Sequence, residues 1–152
     1  MRLKLEWTRA IPLKNAERQN LIYSADQDKV PASPGVYIFG RRFGGGFEAL
    51  YVGQARDIRR RLKGQFKNLP LMMHVKNAKI GKRIVLVGVF KPKPGQKAAK
   101  SLPLIERSFI RYFLSEGHDL VNKMATRLRR HEIASIGKHP KRFIPKLMFL
   151  DK

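Results

Sequence analysis

The sequence predicts an α/β protein of the α+β type, with a small, mainly antiparallel, three-stranded central sheet flanked by helices. Three observations point there. The segments GVYIFG (35–40) and ALYVG (49–53) lie on either side of Gly44, Gly45 and Gly46, as two strands do around a hairpin loop. RIVLVGVF (83–90) is an unbroken β-branched run, the pattern of a strand covered on both faces. Residues 58–67 and 101–115 instead carry apolar side chains at helical spacing. The order β-β-α-(α)-β-α then stacks helices on a sheet.

Taken in order, Leu3, Leu5 and Trp7 alternate with Lys4 and Glu6, which predicts a short opening strand. Residues 8–30 show no clear period and read as helical or irregular, so 1–30 form an N-terminal extension. Pro31 and Pro34 punctuate the approach to the hairpin. Asp57 suits the N-cap of the helix 58–67, whose apolar stripe is Ile58, Leu62 and Phe66. After Pro70, a short segment with Met72, Met73 and His74 reads as helical. KPKPGQKAAK (91–100) reads as a mobile loop rich in lysine. Ser101 reads as the cap of a helix with Pro103 in its first turn, running to about Ser115 before Gly117. The main domain is placed at 31–124, followed by a basic, proline-bearing tail at 125–152.

Composition narrows the function. A chain of 152 residues suffices for one domain with a real core. Its 33 Lys and Arg against 11 Asp and Glu give a net charge of +22. The 43% apolar content excludes a disordered basic tail, which could not bury enough surface to fold. With no cysteine, disulfides, thiolate nucleophiles and cysteine-based metal sites are excluded. His74, His118, His131 and His139 are scattered without metal-site spacing. Short apolar runs, and an N-terminus (MRLKLEW) without an apolar signal region, predict a cytoplasmic protein with no membrane contact. The excess charge predicts a polyanionic partner, nucleic acid, through counterion release and electrostatic steering.

Two-metal phosphodiester cleavage needs several converging carboxylates, and the acids here are dispersed. If a metal takes part, one carboxylate must hold one hard cation. Glu106 is the candidate, because it shares a helix face with Leu102, Phe109 and Phe113 and so faces the sheet. A buried carboxylate needs a cation, either an arginine such as Arg107 or Arg111 or a metal. Arg61 flanks the Ile58–Leu62 stripe with Gln65 one turn later, where a guanidinium can fork onto phosphate oxygens.

Together these residues form a pattern. Gly35-Val36-Tyr37, then Tyr51-Val52-Gly53, then Arg61 ten residues after Tyr51, closely resemble the GIY-YIG nuclease superfamily. YVGQARDIRRRL resembles the core of the excision-repair incision nuclease and of related homing and restriction enzymes. Glu106 in LPLIERSFIRYF and Asn122 in LVNK match the family's metal-binding glutamate and following asparagine. The resemblance spans about residues 31–124 and implies a GIY-YIG fold and hydrolysis of DNA phosphodiesters with one Mg²⁺ (or Mn²⁺) ion. It further implies that Tyr37 or Tyr51 serves or assists the general base and that Arg61 stabilises phosphorane charge. Glu106 would hold the metal, and Asn122 would maintain the site's shape.

Two departures bear on activity. Gln65 stands where many relatives carry a proton-accepting His or Tyr, and Gln54 where the repair-type nucleases carry a lysine. Glutamine orients a water but cannot take its proton. Around the site, Arg56, Lys91, Lys93, Lys97, Lys100, Arg127, Arg129 and Arg130 are expected to contact the phosphate backbone rather than read bases. Two rival readings remain open: a catalytically weak or inactive nucleic-acid-binding subunit of a larger complex, and a nuclease subunit whose apolar tail end (Phe143 to Leu150) docks on a protein partner.

Overall fold

A computed structural model describes residues 1–121 and 130–151. The chain opens with four short strands, β1 (Leu5–Trp7), β2 (Ile11–Pro12), β3 (Lys14–Asn15) and β4 (Tyr23–Ser24). The long hairpin β5 (Gly35–Phe43) and β6 (Gly46–Ala55) follows, then helices α1 (Ile58–Gln65) and α2 (Leu69–Asn77). Strand β7 (Lys82–Phe90), helix α3 (Ala98–Ser115) and a C-terminal pair, β8 (Arg130–Ala134) and β9 (Leu147–Asp151), complete the described elements. The protein is thus a mixed α+β fold with antiparallel sheets, and none of its described helices is long and apolar enough to cross a membrane.

The three expected strands lie side by side as β7-β5-β6, all antiparallel. They are not the whole sheet. β1 and β2 both pair with the outer edge of β7, through Leu5↔Phe90 and Ile11↔Val85, so the sheet has five strands. An uncovered nine-residue edge would invite pairing with another chain, and these strands close it. Residues 8–30 contain no α-helix; two 3₁₀ turns, Glu17–Gln19 and Gln27–Lys29, separate the short strands.

Alternation along β5 divides the core. Tyr37 and Phe39 face α1 and α2, packing with Ile58, Leu62 and Leu71, while Val36 and Ile38 face the α3 side, with Leu102 and Leu114. Every residue from Gly35 to Arg41 is buried, which explains the continuous apolar run. Asp57 caps α1 as expected, its carboxylate accepting the Arg60 N–H at 3.1 Å. Helix α2 starts ahead of Pro70 because Asn68 caps it, accepting the Leu71 N–H at 3.2 Å. At its other end Arg83 donates to the carbonyls of Val75 and Lys76.

Two boundaries differ from expectation. Ser101 is not a cap: α3 begins three residues earlier, and the Ser101 N–H donates to the Lys97 carbonyl at 2.9 Å. Pro103 therefore lies beyond the first turn rather than in it. The tail is not featureless either, for β8 pairs with β9 and β9 packs on α3.

Candidate functional site

The β5–β6 register builds the site. Tyr37 is opposite Gly53 and Phe39 opposite Tyr51, so both tyrosines rise on the face under α1. Gly53 is required there: a Cβ would collide with the ring and hydroxyl of Tyr37. Between the pairs Phe39↔Tyr51 and Gly40↔Ala49, Leu50 is an extra residue, a bulge that bends β6 beside Tyr51. The loop after α3 holds this bulge. The Ala49 N–H donates to His118 Nδ1 at 2.8 Å, the Val121 N–H donates to the Leu50 carbonyl at 3.1 Å, and Val121 bridges to Tyr51.

Gln65, in the last turn of α1, closes the cluster. Its Nε2 donates to the hydroxyls of Tyr37 at 2.7 Å and Tyr51 at 3.2 Å, and its Oε1 accepts from Asn68 Nδ2 at 3.3 Å. Asn68 thereby fixes which end of the amide faces the tyrosines. The two phenols also act on each other, an interaction that lowers the Tyr51 pKa and raises that of Tyr37. Burial dominates both phenols. Tyr37 is pushed far up by burial and then by Tyr51, against a smaller opposing effect from Gln65. Tyr51 is also raised, mainly by burial, with the bonds from Tyr37 and Gln65 opposing it. Two charges flank Tyr51: Glu106 raises its pKa and Arg61 lowers it.

No protein-family model matches this chain, and no curated protein or solved structure matches it either. The site's chemistry is therefore read from its geometry.

Tyr37, Tyr51 and Gln65 form one hydrogen-bonded cluster. Glu106, on α3, is buried as expected at 4% exposure, while Arg107 and Arg111 stand on the helix's exposed side. Arg61 is exposed and lines an open cleft of about 590 Å³ with Gln54, Arg56, Asp57 and Arg60. Asn122, Arg127 and Arg129 lie outside the described residues, and Arg130 opens β8.

The expected mobile lysine loop is a correction. Lys97 is the N-cap residue of α3 and Lys100 lies within that helix, so only Lys91 and Lys93 belong to the loop. Gln96 ties the loop down, accepting the Lys93 N–H at 3.0 Å and donating to the Arg2 carbonyl at 2.9 Å. Lys91 Nζ stands 3.6 Å from a carboxylate oxygen of Glu6. The Gln65 amide nitrogen is engaged with both phenols.

Among the described residues, no group of three or more His, Asp or Glu could hold a metal ion. One buried carboxylate fits only a hard cation that takes its remaining ligands from water and phosphate oxygens. Sequence reasoning missed Asn68 and His118. Asn68 carries a legible cap signal just before Leu69-Pro70, whereas His118 acts through a bulge that no local pattern announces.

Proposed function

We propose that this chain is a GIY-YIG-type endonuclease that hydrolyses DNA phosphodiesters by tyrosine-assisted attack of water. The observation that carries this is the single cluster of Tyr37, Tyr51 and Gln65, with Arg61 and Glu106 acting on the Tyr51 pKa in opposite directions. Apart from Gln65, which departs from the family's pattern, those are residues that the GIY-YIG resemblance marks as functional, drawn from four separate elements.

Tyr51 is the less strongly raised phenol, with both Tyr37 and Gln65 lowering its pKa, which supports it as the phenolate that the cluster favours. Tyr37, more strongly raised, is the positioning phenol beside it. Arg61 lowers the Tyr51 pKa and stands in the cleft, available to a phosphate's equatorial oxygens. Glu106 would hold one Mg²⁺ (or Mn²⁺), with Asn122 maintaining the site's shape; when bound, the ion supplies Lewis-acid stabilisation of phosphate charge. Gln54 and Arg56 border the cleft, where they orient the DNA backbone. A cytoplasmic setting, and a protein partner at the tail, belong to the same proposal.

A second reading has an observation of its own. Both phenols are raised by burial, and Gln65 offers no proton acceptor in place of the His or Tyr of many relatives. That favours a weak or inactive nucleic-acid-binding subunit. Incubation with single-stranded, duplex and branched DNA, in Mg²⁺ or EDTA, separates the two. Cleavage in Mg²⁺ that Glu106→Ala abolishes, with binding retained, supports the nuclease. Tight binding without cleavage by the native chain supports the subunit.

A further inference from the structure

The turn between α2 and β7 has all four of its carbonyls held by two arginines. Arg83 donates to Ala78 O at 2.6 Å and to Lys79 O and Gly81 O at 2.8 Å each, and Arg41 donates to Ile80 O at 2.7 Å. Arg41 is itself buried, bonded to Glu48 at 2.9 Å, with its guanidinium 4.0 Å above the centre of the Phe43 ring. Gly81 completes the turn at φ 151°, where a Cβ would come within 2.7 Å of the Arg42 carbonyl. A turn fixed at every carbonyl has given up its conformational freedom, yet its apex is Ile80, 92% exposed to solvent. Phe43 and Phe47, 42% and 50% exposed, stand at the neighbouring hairpin tip. The cations Lys79, Lys82 and Arg42 surround this apolar point, all exposed, with Arg42 and Lys82 directly opposite across β5 and β7. Two acids lie close by: Glu48, already bonded to Arg41, and Asp119 line one pocket together with Lys79.

We propose that the Lys79-Ile80-Gly81-Lys82 turn is a DNA wedge: its cations grip the phosphates while Ile80 enters the base stack and kinks the duplex. A rigid apolar tip loses little on insertion, and flanking cations are what a duplex minor groove demands of a wedge. A protein-docking knob would need the isoleucine but not three cations around it. Position supports this as well. Phe47 precedes Tyr51 on β6 with the bulged Leu50 between them, about 10 Å of strand, or roughly three base-pair steps. DNA that follows β6 past the tyrosine end of the strand therefore extends to the turn. The inference rests on the nuclease reading for the identity of its polyanion.

The full chain is mixed, in EDTA, with a duplex carrying 2-aminopurine at a central TA step and a donor–acceptor dye pair at its ends. Native protein is expected to raise the 2-aminopurine signal and shorten the end-to-end distance. Ile80→Ala should lose both at saturation and bind about tenfold more weakly with an unchanged salt slope. Lys79→Ser and Lys82→Ser should keep the bend at saturation, each reducing the salt slope by about 0.9. DNA left straight and stacked by native protein, or bent equally by Ile80→Ala, overturns the wedge even if the chain cleaves DNA. Bending without any cleavage in Mg²⁺ keeps the wedge and removes the nuclease. No binding at all removes both.

Discussion

Gln65 donates to two phenol oxygens from one amide nitrogen, and its removal leaves both buried without that donor. Such a loss costs about 1–3 kcal/mol. Gln65→Ala should therefore lower the unfolding free energy by that amount in urea and shift the phenol titration upward, read by ultraviolet absorbance; unchanged titration would remove the amide from the cluster. The same phenols predict an alkaline weakness. Their folded pKa values lie above the ordinary 10.0, so at higher pH the unfolded chain ionises first. This contribution to stability is fully present below about pH 10 and declines as pH rises through the folded values. Tyr37→Phe, lacking the more strongly raised phenol, should lose less stability between about pH 9 and 11 than the native chain, measured by denaturant midpoints. Catalytically, Tyr51→Phe should be the more damaging change. Tyr37→Phe removes only a phenol beside the proposed reacting oxygen, and equal single-turnover losses would place both phenols at the reaction. The clustering of the tyrosines with Gln65 and the burial of Glu106 were legible because each rests on a residue-type signature at a fixed offset. The direction of the hydrogen bonds was not, since it depends on Asn68 fixing the Gln65 amide.

At the scale of elements, the β6 bulge is the part that sequence periodicity hides. Leu50 and Tyr51 are both core residues on one face, which a period of two reads as an ordinary apolar run. The hairpin, Asp57 and the β7 run announce themselves locally. The opening strands, the start of α3 and the tail hairpin are decided by pairing with distant segments, and Pro103 misplaced the α3 start because proline usually marks a first turn. His118 shows how one such long-range link titrates. Its pKa is lowered, chiefly by burial and against the charges of Glu48 and Glu116, so near neutrality Nδ1 stays free to accept the Ala49 N–H. Protonation turns that acceptor into a donor facing a donor. The stability it confers is present above the ordinary 6.5 and is lost as pH falls through the folded value. His118→Phe keeps a ring beside Phe113 but strands the Ala49 N–H, an expected cost of about 1–3 kcal/mol near neutral pH. Its stability should also lack this acid-side component, which in the native chain sets in below the ordinary 6.5. A His118→Phe protein as stable as the native chain, with the same acid limb, would show that the bulge needs no acceptor.

Across the whole molecule, the charge of +22 that underlies the proposed nucleic-acid contact overstates how many phosphates the chain could grip. Arg41, Arg59 and Arg83 direct their guanidinium groups at backbone carbonyls and so act as structural braces. The tail poses the same question on a larger scale. Its Lys138, Lys141, Arg142 and Lys146 are exposed, while β9 packs on α3, the helix that carries Glu106. Deleting the tail would therefore remove cations and uncover α3 together, confounding affinity with fold. Replacing those four residues with glutamine separates the effects. If they neutralise phosphates, log K against log[salt] should flatten by about 0.9 for each phosphate no longer paired, at most about 3.6, with the melting temperature unchanged. If the tail instead serves as a cover for α3, the substituted chain should keep the native salt slope, and only deletion of 130–151 should lower the melting temperature and, through Glu106, the cleavage rate. Salt titrations of DNA binding and thermal melts on the same two variants decide between them, because screening acts on the cations and leaves apolar packing almost untouched.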